Sequence, residues 1–225
     1  MICELITDHP VIPPKAILDA YAYGAFPMAD TASTNRIYWL APDPRCIIPL
    51  DTVHLPRKLR KTIRNTDLTV TVDTDFRGVI TRCAGGTESR PDTWINPPIR
   101  AGFIQLHEMG FAHSVEVRRG DVLVGGLYGL AINGAFFGES MFAAERDASK
   151  VAFVHLIAIL RAAGFRLLDS QMMNQHLAQF GAIEISKNEF KQRLTEALIN
   201  PVPFGAGDIK ASLEALTAPQ DPNTQ

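Results

Sequence analysis

The sequence predicts an α+β fold, a central run of antiparallel strands with helices on its faces. Residues 113–118 alternate apolar and polar, Arg119-Gly120-Asp121 turns the chain, and VLVGGLYGLAI (122–132) runs back. Asn133-Gly134 is a strong hairpin signal, so residues 135–142 return as a third strand of a meander. A long apolar helix follows, capped by Asp147 and closed by Gly164, and then a short buried strand, FRLLD (165–169). Strands, then a helix, then another strand place helices on the faces of one sheet.

The remaining elements follow from local signals. Residues 1–45 read as a small N-terminal domain and 46–225 as the main domain. In the first, residues 16–23 form a short helix stopped by Gly24 and Pro27, and Pro42 and Pro44 break the chain before the next apolar run. Residues 54–65 form a helix with two stripes. Leu55, Leu59 and Ile63 make the apolar one; Arg57, Arg60, Lys61 and Arg64 make the other, with Lys58 beside them. Residues 68–73 (LTVTVD) alternate as a strand, and Asp75 caps a helix over 76–84. The polar loop GGTESRPDT (85–93) ends in Trp94-Ile95, after which Asn96 caps a helix running from Pro97 to Gly110. Asn174 opens a short helix ended by Gly181. Ser186 and Glu189 form a capping box for a helix carrying Phe190, Leu194 and Leu198. The chain after Pro201, and especially after about 205, reads as loosely held, and APQDPNTQ (218–225) as disordered.

Composition narrows the function classes. The 225 residues are 46% hydrophobic and 20% charged, an ordinary globular balance. No stretch approaches the ~20 apolar residues of a membrane span. The first residues lack the basic start and apolar run of a signal peptide, so a cytoplasmic protein is expected. Cys3, Cys46 and Cys83 form no C-x-x-C pair, and no two histidines flank a glutamate at helical spacing, so no metal is expected. His155 lies on an apolar helix face and reads as a core residue. A net charge of −2 argues against a polyanionic partner overall; the basic cluster at 57–64 argues for one locally.

A few residues stand out chemically. Glu139 sits within FFGESMF, a carboxylate inside an apolar strand, which is costly unless paired. It reads either as a solvent-face residue or as an acid at the rim of an apolar pocket that awaits a cation. Ser140 as a nucleophile would need glycine where Phe142 stands. Gly125, Gly126 and Gly129 do not fit a phosphate loop and read as marking a bulge or a close approach of another backbone. Asp169 and Gln171 follow a buried strand, where side chains often face a crevice. Trp94 either packs or stacks on a base. From these residues alone, the protein is an α+β protein with an apolar, carboxylate-bearing pocket and one basic helix.

Several long motifs occur in one order: AYAYGAFPM (20–28), YWLAPDPR (38–45), TWIN (93–96), LHEMGFAHSVEV (106–117), VGGLYGLAINGAFFGESMF (124–142), DASK (147–150), LLDSQ (167–171) and HLAQFGAIEI (176–185). Over nearly its whole length the chain resembles the leucyl/phenylalanyl-tRNA–protein transferases. That resemblance implies a small N-terminal domain and a larger one of the acetyl-CoA-dependent N-acetyltransferase (GNAT) type, without acyl-CoA, cofactor or metal. It implies that Leu, Phe or Met passes from charged tRNA to an N-terminal Lys or Arg of another protein, marking it for N-degron proteolysis. By resemblance, Tyr21, Met28 and Trp94 lie near the tRNA's terminal adenosine. Leu127, Phe136, Gly138, Met141, Phe153 and Leu156 form the aminoacyl pocket. Glu139, Asp169 and Gln171 form the reaction centre, and the basic helix with Arg57, Lys58, Arg60, Lys61 and Arg64 holds the tRNA. A monomer is expected.

The chain departs from the family pattern in places. Met28 stands where Trp is frequent, Phe103 where Tyr is common and Leu156 where Phe is common, and a glycine-rich stretch before AYAYG is missing. Three rival readings remain: an acyl-CoA-dependent GNAT acyltransferase, disfavoured by AAERDASK (143–150) where a glycine-rich loop belongs, a tRNA-binding adaptor without activity, and an esterase using Ser140.

Overall fold

The computed structural model describes residues 2–6, 11–85 and 92–219, the side chains from 11 onward. Two sheets organise it. In the small one, β1 (Ile2–Ile6), β3 (Arg36–Leu40) and β2 (Phe26–Met28) lie in that order, all antiparallel. The large sheet has seven strands. β5 (Thr69–Val72), β6 (Ala112–Arg119), β7 (Val122–Ile132) and β8 (Ala135–Ala143) form an antiparallel run from one edge. β9 (Leu167–Gln171) lies parallel to β8, and β4 (Arg45–Ile47) and β10 (Ile183–Ile185) complete the order, each antiparallel to its neighbour. The α+β expectation and the meander are therefore observed.

Helices cover both faces. On one, α5 (Ala148–Ala163) packs with α2 (Arg57–Asn65) and α8 (Ile209–Thr217) over Val115, Val117, Leu127 and Phe136. α5 is apolar almost all round, as a helix buried by several neighbours must be. On the other face lie α1 (Pro14–Ala22), α3 (Phe76–Ala84), α4 (Pro97–Glu108) and α7 (Lys187–Ala197). There Ile17 and Tyr21 of α1 share one core with Ile99, Phe103, Tyr128 and Phe137. α6 (Gln175–Ala178) is a single turn after β9.

The caps behave largely as the sequence implies. Asp75, Asn96, Asn174 and Ser186 each accept a hydrogen bond from a first-turn amide. Asp147 does not cap with its side chain. Its backbone sits in the left-handed region at φ 62°, and its carboxylate takes Lys150 at 2.8 Å instead. Gly134 is required by close approach: a Cβ there would lie 2.8 Å from the Ala197 carbonyl oxygen. At Gly125 the close neighbour is α5, since a Cβ would meet Ala148 at 2.5 Å.

Two further expectations are corrected. The buried strand expected at 165–169 begins later, at Leu167, and runs through Gln171. Phe165 instead packs edge-on against Phe136. The segment after Pro201 is not loosely held. Phe204 stacks on His113 at 4.1 Å, and α8 docks on α5 with Leu216 buried. Residues 220–225 of the expected disordered tail, and most of the loop 85–93, lie outside the described residues.

Docking of α8 has a measurable consequence. Leu216→Ala should lower unfolding free energy by about 2 kcal/mol, at the low end for core leucines. Ile199→Ala, on a residue 67% exposed, should change it little. Urea titration of both variants checks this; equal midpoints would show α8 undocked in solution.

Candidate active site

The site forms where the sheet splits. β8 and β9 pair from Ala135↔Leu167 to Phe137↔Asp169 and no further. Gly138 to Ala143 of β8 and Ser170 and Gln171 of β9, beyond that point, line a cavity of about 470 Å³ together with Leu168 and Asp169 at the fork itself. Such a crevice, beyond the carboxyl ends of parallel strands where neighbouring connections diverge, is a common ligand position. A bulge adds to the opening. Tyr128 pairs with Ser140 and Gly129 with Gly138, leaving Glu139 without a partner on β7. The extra residue re-aims the carboxylate out of strand alternation.

The cavity's apolar wall comes from Leu127, Met141, Phe153, Leu156, Leu168 and Leu177. Phe153 is braced by Phe180, ring centroids 4.6 Å apart. Five of the six expected pocket residues, Gly138 included, thus line one cavity. Phe136 does not. It pairs with Leu168 where the two strands are still closed, and Phe165 and Phe204 cover its ring.

A second, smaller cavity of about 270 Å³ adjoins the first, walled by Phe26, Met28, Trp94, Met172 and Met173. Glu139, Ser170, Gln171 and Asn174 line both cavities, so one acid and two amides stand at the junction. Met28 and Trp94 thus line one cavity together. Tyr21 does not join them, because α1 presents it to the core. It is fully buried against Phe137, ring centroids 4.9 Å apart, and offers no face to a nucleotide. Burial raises the pKa of its hydroxyl well above normal, and the nearby Glu139 carboxyl raises it further.

The polar groups form a chain. Gln171 Nε2 donates to Glu139 Oε1 at 3.2 Å, and among the described residues no donor meets its amide oxygen. Gln171 holds a left-handed backbone, φ 59°, which is uncommon for a residue with a Cβ. Asp169 Oδ1 secures it by accepting the Gln171 backbone N–H at 2.9 Å. Asp169 in turn is gripped by Arg45, Nε to Oδ1 at 2.9 Å and Nη2 to Oδ2 at 2.6 Å, both side chains essentially inaccessible. Arg45 is the residue that sequence reasoning misses; the signal for it is a charged residue opening the apolar run RCIIPL. Glu139 keeps an accessible edge on the cavities, yet its carboxyl is packed deeply enough that burial pushes its pKa from 4.5 up to about 8. Asp169 adds to the rise; Tyr21 and Arg45 oppose it.

Elsewhere, Arg57, Lys58, Lys61 and Arg64 lie toward solvent on α2 as expected, but Arg60 does not. It turns inward, 7% exposed, with Nη1 3.4 Å from the Ala218 carbonyl oxygen. His155 hydrogen-bonds the Val151 carbonyl oxygen at 2.8 Å and is a core residue. Ser140 lines the cavity, but among the described residues no histidine or carboxylate hydrogen-bonds to it, which leaves an esterase triad without a base. Among the described residues no cluster of His, Cys, Asp and Glu could hold a metal ion.

Comparison with known proteins decides the family. The model for the leucyl/phenylalanyl-tRNA protein transferase matches residues 47–195, and that for the N-terminal domain of the same proteins matches 12–43. The chain belongs to the leucyl/phenylalanyl-tRNA–protein transferase family. Curated relatives carrying that name include one from Phenylobacterium zucineum (strain HLK1), 52% identical over 85% of this chain and 87% of its own. Others are from Paramagnetospirillum magneticum (strain ATCC 700264 / AMB-1), 52% identical over 84% and 90%, and from Maricaulis maris (strain MCS10), 53% identical over 85% and 89%.

The raised pKa of Glu139 has a sign that can be checked. Between pH 4.5 and about 8 the folded state holds a proton that the unfolded chain releases. This contribution to stability is complete below 4.5 and is lost as pH rises through 8. Glu139→Gln, which cannot ionise, should therefore gain stability relative to the unsubstituted protein between about pH 5 and about pH 9. Urea unfolding at the two pH values measures the gap; an unchanged gap would mean that Glu139 is not desolvated.

Proposed function

We propose that this protein transfers a leucyl, phenylalanyl or methionyl group from tRNA to the α-amine of proteins with N-terminal Lys or Arg, in the cytoplasm and as a monomer, marking them for N-degron proteolysis. The observation that carries this reading is the pair of adjoining cavities meeting at Glu139 and Gln171. One is apolar and suits a single hydrophobic side chain; the other holds Trp94 with Met28, Met172 and Met173, faces suited to stacking on the terminal adenosine.

The substrate ester is already activated, so the enzyme's task is orientation. Holding a neutral amine against the ester carbonyl converts an encounter into an intramolecular step. The free oxygen of Gln171 accepts a hydrogen bond from that amine. An amide is too weak a base to keep the proton, which leaves through the ribose hydroxyls as the ester bond breaks. Glu139, once ionised, attracts the acceptor's cationic side chain. The apolar cavity admits Leu, Phe and Met and rejects charged side chains, since a buried unpaired charge is heavily penalised. The outward-facing cations of α2 hold tRNA phosphates.

Incubation of the protein with radiolabelled Leu-tRNA and a peptide beginning with Arg or Lys should yield labelled peptide, and one beginning with Ser should not. Label released only as free leucine would contradict the reading. Gln171→Ala should lower kcat about 100-fold with tRNA affinity nearly intact. Replacing Arg57, Lys58, Lys61 and Arg64 by Ala should flatten the salt dependence of tRNA binding by roughly one unit of slope for each phosphate no longer held. Arg60→Ala should leave the slope unchanged, because that side chain is turned into the protein.

A further inference from the structure

We propose that Arg45 is a positioning residue for the transfer reaction, setting the Gln171 amide through Asp169. The inference rests on the function proposed above. Arg45 touches neither cavity. It is 1% exposed, and its guanidinium lies over the rings of Phe26 and Phe190, 4.9 and 4.5 Å from their centroids. Its donors are directed. Nε and Nη2 take the two oxygens of Asp169, and Nη1 takes the Gly24 carbonyl oxygen at 3.0 Å.

A fork held at three points leaves the Asp169 carboxylate one orientation. In it Oδ1 also faces the Gln171 backbone N–H. That bond fixes a left-handed residue whose side chain has turned off the end of β9 onto the junction of the two cavities. A carboxylate free to rotate about its χ2 angle would not hold that backbone. The chain of interactions therefore runs from Gly24, in the loop after α1, through Arg45 and Asp169 to the amide that meets the substrate.

Lysine in place of arginine keeps the charge and loses the fork, since one ammonium cannot span both oxygens and the Gly24 carbonyl in the same plane. Glutamine loses the charge. The groups facing Glu139 are Tyr21 from α1, Arg45 from β4, and Asp169 and Gln171 from β9. Removing the cation should thus raise the pH at which Glu139 ionises, whereas lysine should leave it in place.

The test uses the full-length protein with Arg45→Lys and Arg45→Gln. Four readouts are collected: kcat and KM for an Arg-peptide with Leu-tRNA, tRNA Kd, the pH profile, and the Gln171 backbone amide resonance. Arg45→Lys is expected to lower kcat at least tenfold, keep tRNA Kd within twofold, leave the pH midpoint in place and shift the Gln171 amide. Arg45→Gln should show the same loss with the midpoint moved upward. A kcat within twofold of the unsubstituted protein and an unmoved Gln171 resonance would overturn the proposal. Collapse of the whole spectrum in both variants would assign Arg45 to folding alone and overturn it equally. Should the unsubstituted protein transfer nothing, the function proposed above fails, and the Gln171 resonance in Arg45→Lys still decides whether the coupling exists.

Discussion

The buried ion pair between Arg45 and Asp169 is the constraint on which the site depends. Two charges removed from water are expensive unless their lone pairs and donors find partners. Here they do. The guanidinium is satisfied by Asp169 and Gly24 and contacts two aromatic rings; the carboxylate is satisfied by Arg45 and the Gln171 backbone N–H. Replacing such a pair by apolar residues is often neutral for stability. Its value here is geometric. It ties the loop after α1 to the end of β9, and so ties the smaller sheet's surroundings to the floor of the cavity.

The rest of the site follows from how the sheet opens. β8 and β9 are parallel neighbours, but each has an antiparallel partner on its other side. Once pairing stops at Phe137 and Asp169, their ends are free to line a crevice. The bulge at Glu139 then aims an acid into it, and α5 closes the apolar side with Phe153 and Leu156. The result is an apolar chamber and a more polar one sharing a narrow boundary that includes one carboxylate and two amides. Binding two substrates on either side of a shared boundary is what a transfer between them requires, because it places the reacting atoms rather than activating them.

Much of this is legible in the chain, and the failures have physical causes. Period-two alternation and turn residues locate β6, β7 and β8, and capping residues locate most helices, because these signals are local. Glu139 stands out because a charge in an apolar strand demands a reason, and Gln171 because it stands at the end of a buried strand. The three-residue strands β2, β4 and β10 carry too few residues for any periodicity. Arg45 escapes because its partner is 124 residues away. For Tyr21, Phe136 and Arg60 the sequence names the right elements but the wrong surroundings. A motif names a residue, whereas packing decides which atoms reach the cavity: Tyr21 faces the core, Phe136 lies where the strands are still paired, and Arg60 reaches the end of α8.

The central claim is that an aminoacyl side chain fills the larger cavity while its carbonyl faces Gln171. A crystal structure with an amide-linked leucyl-adenosine, a mimic that cannot react, addresses it directly. The leucyl group should lie among Leu127, Met141, Phe153 and Leu156, with the adenine beside Trp94. A leucyl group seated in the smaller chamber, or an amide carbonyl turned away from Gln171, would contradict the account.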